Sequence, residues 1–275
     1  MGKISAEAKR RYFERIKEYK AAIDTILHRE TSLLQAMKSG DTGVDYKRLT
    51  LADENLNLVS YHVLMNALSV ALLGVKNEAF LNDARKGCYK SIIYLEEAVT
   101  PFIDVPFSDY EEHLSRIDDF DDEKRYGLIR KLGYSIQAVV DEFGENSKWK
   151  WSFVEIEGRY ATVTKNLLNL KTFVAGMDPR IAGYDTRIAH VNLAKRLLQQ
   201  AADRYRQKYE LSTLRMDDFR LAISYLSALR RIHIVLGESE DADELRKKIE
   251  IWRAKMETDS RKREQTVRED KVQKR

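Results

Sequence analysis

The chain has 275 residues, of which 43% are apolar and 33% charged, with a formal net charge of +4. This apolar share is that of a folded protein rather than a disordered one, and the single cysteine, Cys88, excludes an internal disulfide framework. Charge in excess of the usual one quarter or so, with only 3 prolines and 12 glycines, describes long helices that turn a charged face to water.

The first helix is predicted over about residues 5 to 38. Its apolar positions, Tyr12, Ile16, Tyr19, Ile23, Ile26, Leu33 and Met37, fall three and four apart, the spacing of a coiled-coil-like long N-terminal helix. Glu30 alone breaks that seam. Between Thr50 and Val75 two seams coexist, one through Leu56, Val59, Val63, Asn66, Val70 and Leu73, the other through Leu58, Tyr61, Met65, Leu68 and Leu72. A helix apolar on two sides is a central one. The uncharged run from Asn55 to Val75 is long enough to cross a bilayer, but Asn55, Asn57, Ser60, His62, Asn66 and Ser69 would be stranded in hydrocarbon. A buried core helix is therefore expected, and no transmembrane segment.

A third helix, near 77 to 99, places Cys88 on a seam with Leu81, Ala84 and Leu95, as an inert buried thiol. Pro101 and Pro106 then open an acidic stretch, 104 to 123, whose only basic residue is Arg116. It reads as a hinge over 101–120, with a short helix starting at the capping box Ser108-Asp-Tyr-Glu111. The hinge ends in Asp118-Asp119-Phe120-Asp121-Asp122, which spells the aspartate-rich pattern by which all-α isoprenoid diphosphate enzymes bind magnesium. On a helix Asp118 and Asp122 would share a face and hold Mg²⁺. Such enzymes need a second acidic cluster, and Asp217-Asp218-Phe219-Arg220 places an arginine where acid is required. The preferred reading makes Asp121 an N-cap, with Asp122 and Glu123 at the positive end of the next helix.

That helix is predicted over 122 to 143, and another over 148 to 175 on a seam through Trp149, Phe153, Ile156, Tyr160, Val163, Leu167, Leu170 and Val174. Trp151 lies off the seam and is a candidate surface contact, because tryptophan often anchors interfaces. Helices at 185–211, 216–236 and 241–265 follow. Gly87, Gly127, Gly133 and Gly158 fall inside predicted helices and point to close helix contacts. Most other glycines follow apolar runs, where helices take a left-handed C-terminal residue. Residues 260 to 275 form a polar tail rich in Lys and Arg, including Arg261, Lys262 and Arg263, and the chain without that tail is formally neutral. A solvated, frayed end is expected there.

Short connectors force neighbouring helices to run antiparallel. The expected fold is all-α, an antiparallel bundle or stacked helical hairpins of about eight long helices. It divides into a three-helix unit over 1–100, the acidic hinge over 101–120, a five-helix unit over 121–259 and the basic tail over 260–275, or forms one continuous domain over 1–259. No HExxH, Glu-x-x-His pair, phosphate-binding glycine loop, GxSxG or cysteine pair occurs. Met1 to Ser5 lead into the first helix without an apolar leader, so the cytoplasm is the expected compartment.

The expected function is that of a non-catalytic adaptor or scaffold that binds other proteins, with no cofactor. Self-association would bring the basic ends onto the acidic midsection in a salt-sensitive oligomer. Candidate contacts are Trp151, Arg261, Lys262, Arg263, Asp118, Asp119, Asp121 and Asp122. The alternatives are nucleic-acid binding through the basic termini and a Mg-dependent diphosphate enzyme built on Asp118 and Asp122.

Overall fold

The computed structural model describes residues 4–40, 42–144 and 148–273, with side chains to residue 265. It is all-α, 83% helical, with ten α-helices and no strand among the described residues. Residues 1–3 and the tail's side chains beyond 265 lie outside what is described.

The chain divides into two compact units, one formed by residues 1–101 and 110–169, the other by 102–109 and 170–275. The first contains α1 (Ala6–Lys38), α2 (Val44–Leu73), α3 (Glu78–Ala98), α4 (Glu111–Ser115), α5 (Asp122–Phe143) and α6 (Lys150–Asn166). The second contains a 3₁₀ turn (Phe107–Asp109), α7 (Leu170–Ala175), α8 (Tyr184–Lys208), a π turn (Tyr209–Thr213), α9 (Met216–Val235) and α10 (Ser239–Gln273). The segment read as a hinge is thus shared between the units.

In the first unit α2 packs against α1, α3 and α5, and α6 against α3 and α5. The α1 seam works as its spacing predicts: Tyr12, Ile16 and Ile23 are buried against Leu58 and Met65 of α2. Glu30, the break in that seam, is a buried carboxylate that accepts from Tyr94 Oη at 2.6 Å and Lys90 Nζ at 2.5 Å on α3. Helices α2 and α3 approach closely where Gly87 and Ser91, small residues of α3, meet Val59 and Ala52 of α2. Ser91 Oγ donates to the Ala52 carbonyl at 2.9 Å, and a Cβ at Gly87 would stand 2.7 Å from Val59 Cγ2. Tyr160 of α6 fills the gap over Gly133 and donates to the Ile129 carbonyl at 3.2 Å. Gly158 is buried, whereas Gly127 has nothing within 4 Å of where its Cβ would be, so it marks open space rather than a packing contact.

Asn66 joins three elements in this unit. Its Nδ2 donates to Glu142 Oε2 of α5 at 2.7 Å and its Oδ1 accepts from the Asn77 amide at 2.7 Å, while Asn77 in turn caps α3. The α2–α3 turn is set by Gly74, whose φ of 64° is the left-handed conformation that ends a helix.

In the second unit α8, α9 and α10 pack in sequence. Its core is aromatic: Tyr205 stacks on Tyr225 at 5.5 Å, Tyr209 on Phe219 at 4.8 Å, and Phe219 meets Trp252 at 6.0 Å. Arg231 Nε donates to Asp104 Oδ1 at 2.7 Å, which fastens the 102–109 segment to α9.

Five expectations are corrected. First, α2 begins at Val44, with Gly43 as its N-terminal cap, so the helix is longer than its apolar seams. Second, the helix read over 148–175 is interrupted after Asn166: Leu167 and Leu168 are buried in the break, and α7 restarts in a new register that buries Phe173 and exposes Val174. Third, the Ser108 capping box does not form. Ser108 Oγ donates to Asp109 Oδ1 and α4 starts at Glu111 behind Tyr110. Fourth, α10 continues through Gln273 instead of fraying from residue 260, since Arg, Lys, Glu and Gln are good helix formers and Arg261 reaches Glu257 at 4.0 Å. Fifth, α2 is not buried all round. Ser60, Leu64, Ala67, Val70 and Ala71 are exposed along one side of its second half.

Candidate functional site

That exposed side of α2 borders α5, and the two helices form a groove of about 610 Å³. Its α2 wall is Val59, Val63 and Leu64, and its α5 wall is Gly127, Arg130 and Tyr134. The α5 wall is open at Gly127, where an added Cβ would meet nothing within 4 Å. Leu64 is 46% exposed and Tyr134 65%, which is unusual for large apolar and aromatic groups facing the same depression. A second depression of about 440 Å³ shares Gly127 and Lys131 with the first and continues toward Tyr46, Leu49 and Phe120.

The electrostatics of the groove are simple. Lys131 is committed to Asp53, with Nζ to Oδ1 at 2.6 Å. Arg130 donates to Tyr134 Oη at 3.0 Å and lies 5.7 Å and 5.6 Å from the Tyr126 and Tyr134 ring centres, and it pairs with no carboxylate among the described residues. The groove therefore offers an apolar trough with one uncompensated cation on its rim. Arg130 and Tyr134 sit on consecutive turns of one face of α5, and the two helices are joined further along by the hydrogen bond from Asn66 to Glu142.

The sequence-predicted contacts lie elsewhere. Asp118 falls in the turn before α5 and Asp122 is the first residue of that helix, so they do not share a helical face and the magnesium geometry argued from i, i+4 spacing is absent. Asp121 is the N-cap, accepting from the Lys124 amide at 2.9 Å and pairing with Lys124 Nζ at 3.1 Å. That contact holds its carboxyl below the usual carboxylate range. Asp119 is tied down through its backbone, its amide donating to Tyr46 Oη at 3.1 Å.

The acidic run encloses a buried arginine. Arg125, 2% exposed, donates from Nε to the Phe120 carbonyl at 2.5 Å and from Nη2 to the Ile117 carbonyl at 3.1 Å. Burial lowers its pKa, and the charges of Asp122, Asp118 and Asp121 oppose that shift. Asp218, in the other aspartate pair, is held by Lys208 Nζ at 2.9 Å and Thr213 Oγ1 at 2.6 Å.

Trp151 is half-buried in the first turn of α6, with Lys150 Nζ 5.4 Å from its ring centre. Arg261 and Lys262 are exposed on α10, and the Arg263 guanidinium lies 5.8 Å from the Tyr209 ring. Cys88 is buried as expected, and burial pushes its thiol up to about 12, out of reach of nucleophilic chemistry at neutral pH.

The groove itself was hidden in the sequence. Leu64 and Val63 read as further apolar residues of a central helix, and Gly127 as a packing glycine. The available signal was the glycine flanked on its own face by Arg130 and Tyr134, which no seam of α5 used. Among the described residues α2 is the one helix long and apolar enough to cross a membrane, and 33% of that stretch is buried.

The TP0443 family pattern matches residues 8–260, nearly the whole chain, and the chain belongs to that family. No curated protein and no solved structure matches it.

Proposed function

We propose that this member of the TP0443 family is a non-catalytic, cytoplasmic helical protein that binds a protein partner in the α2–α5 groove. The observation that carries the reading is the unfilled space at Gly127 in a depression that Leu64 and Tyr134 also line: an apolar trough on two helices joined by the Asn66–Glu142 hydrogen bond. Such a trough suits an amphipathic helix that lays down an apolar face in i, i+3, i+4 spacing. A carboxylate on that helix would meet Arg130, giving orientation more than affinity.

The test is affinity capture from the native cell with three forms of the full chain. Wild type and a chain truncated after residue 259 are expected to retain the same partner, and Gly127→Leu is expected to lose it. Circular dichroism of Gly127→Leu should be unchanged, because the added side chain enters free space. If truncation removes the partner while Gly127→Leu keeps it, the basic tail is the binding element and the groove reading fails.

A further inference from the structure

We propose that the π turn between α8 and α9 is a contact for an anionic membrane surface, with Leu211 and Leu214 entering the acyl boundary and Arg215 and the basic end of α10 meeting lipid phosphates. Leu211 is 70% exposed and Leu214 53%, which makes them the two most exposed leucines among the described residues. Both belong to one turn. Leu214 is also the one non-glycine residue with positive φ among the described residues, at 50°. That left-handed conformation falls to glycine or asparagine at most turns, because a larger side chain strains it.

The turn is held in this shape from beneath. The Leu214 amide donates to the Tyr209 carbonyl at 3.0 Å. Thr213 Oγ1 donates to Asp218 Oδ2 at 2.6 Å and accepts from the Arg215 amide at 3.2 Å, while Lys208 Nζ donates to Asp218 Oδ1 at 2.9 Å. Asp218 and Tyr209 are buried, and Tyr209 stacks on Phe219. A fixed base thus presents two leucines that contribute little to the core, at a cost in backbone strain that a glycine would avoid.

Charge identifies what covers them. The acids around the turn are each paired: Glu210 with Arg206 at 3.0 Å, Asp217 with Arg220 at 2.9 Å and Asp259 with Lys255 at 3.2 Å, besides Asp218 with Lys208. Arg215 is exposed and pairs with no carboxylate among the described residues. Helix α10 passes alongside, since Tyr209 Oη donates to Asp259 Oδ2 at 2.9 Å and the Arg263 guanidinium lies 5.8 Å from the Tyr209 ring. From residue 260 onward the sequence carries seven Lys or Arg against three Asp or Glu. The leucines are therefore rimmed by excess positive charge, the complement of an anionic headgroup layer. A stable protein interface buries about 800 Å² on each partner, far more than two leucines supply. Shallow apolar insertion backed by cations is the combination that holds a protein reversibly on a membrane.

The test is sedimentation of the full chain with vesicles of phosphatidylcholine alone, or of phosphatidylcholine with about one third phosphatidylserine. Binding is expected to the second vesicle only, weakening as salt is raised. The double variant Leu211→Ser/Leu214→Ser should bind at least about tenfold more weakly with its helicity unchanged. Arg215→Gln should weaken binding about fivefold. Leu214→Gly should weaken binding without lowering the melting temperature, which separates a lipid contact from a structural role. No binding to the anionic vesicles, equal binding to the neutral ones, or undiminished binding by the double variant would overturn the proposal. So would a dimer, or retention on single-stranded RNA, that the double variant abolishes in the absence of vesicle binding.

Discussion

Glu30 shows how a single residue that offends a helical seam becomes a determinant of stability. Burial pushes its carboxyl up, but the hydrogen bonds from Lys90 and Tyr94 and the Lys90 charge outweigh that effect together, and the net shift is down from 4.5. A carboxyl with a depressed folded value contributes stability above its unfolded pKa and loses it as pH falls through the folded value. Chemical unfolding at pH 7 and at about pH 3 should therefore show an acid-induced loss that Glu30→Gln reduces. Equal losses in the two proteins would refute this role. Arg125 is the matching case for a cation: Arg125→Met should cost about 2–4 kcal/mol, since it strips the Phe120 and Ile117 carbonyls of their donor and leaves Asp118, Asp121 and Asp122 without their central charge. Thermal unfolding measures it, and a change below about 0.5 kcal/mol would rule it out. Both residues were visible in the sequence only as a seam break and as one cation beside a run of aspartates. Glu30 finds its partners on another helix and Arg125 finds its own in the backbone of the preceding turn, neither of which the apolar spacing reveals.

At the scale of elements, the spacing of apolar residues located the eight long helices because each has to bury a stripe, and the stripes of α1, α5 and α6 are the ones that are buried. What the spacing did not register was interruption. The seam through Leu167 and Val174 looks continuous, but the polar Thr162, Thr164, Asn166 and Lys165 are all buried at the end of α6, and Asn166 Nδ2 donates to the Thr100 carbonyl at 2.8 Å, drawing that end onto the chain after α3. Glycine within a helix was equally ambiguous, since the same letter marks contact at Gly87 and vacancy at Gly127. Substitution separates the two. Gly87→Ala should destabilise by about 1–3 kcal/mol through the clash with Val59, and Val59→Ala should rescue it. Gly127→Ala should stabilise by about 0.5–1 kcal/mol, as alanine does in an unobstructed helix interior. Equal effects of the two alanines on the melting temperature would contradict the distinction.

For the whole molecule, each unit has its own core, one largely aliphatic and flanked by half-buried ion pairs such as Arg159 with Glu96, the other stacked from tyrosine, phenylalanine and tryptophan. The segregated charge suggested association between basic ends and an acidic midsection, and of the aspartate run Asp121 pairs with Lys124 while Arg125 is buried beside Asp118, Asp121 and Asp122. The functional reading proposed for the molecule rests on the uncovered apolar side of α2, where Leu64 and Val70 are exposed. The direct measurement is site-specific photo-crosslinking in the native cell, with the reactive group at Leu64 or Tyr134 and a control at the exposed Glu18 of α1. One discrete protein adduct at both groove positions, absent at the control and lost when Gly127→Leu is added, is the predicted result. Equal labelling at groove and control positions, or an adduct that survives Gly127→Leu, would contradict the groove as the binding site.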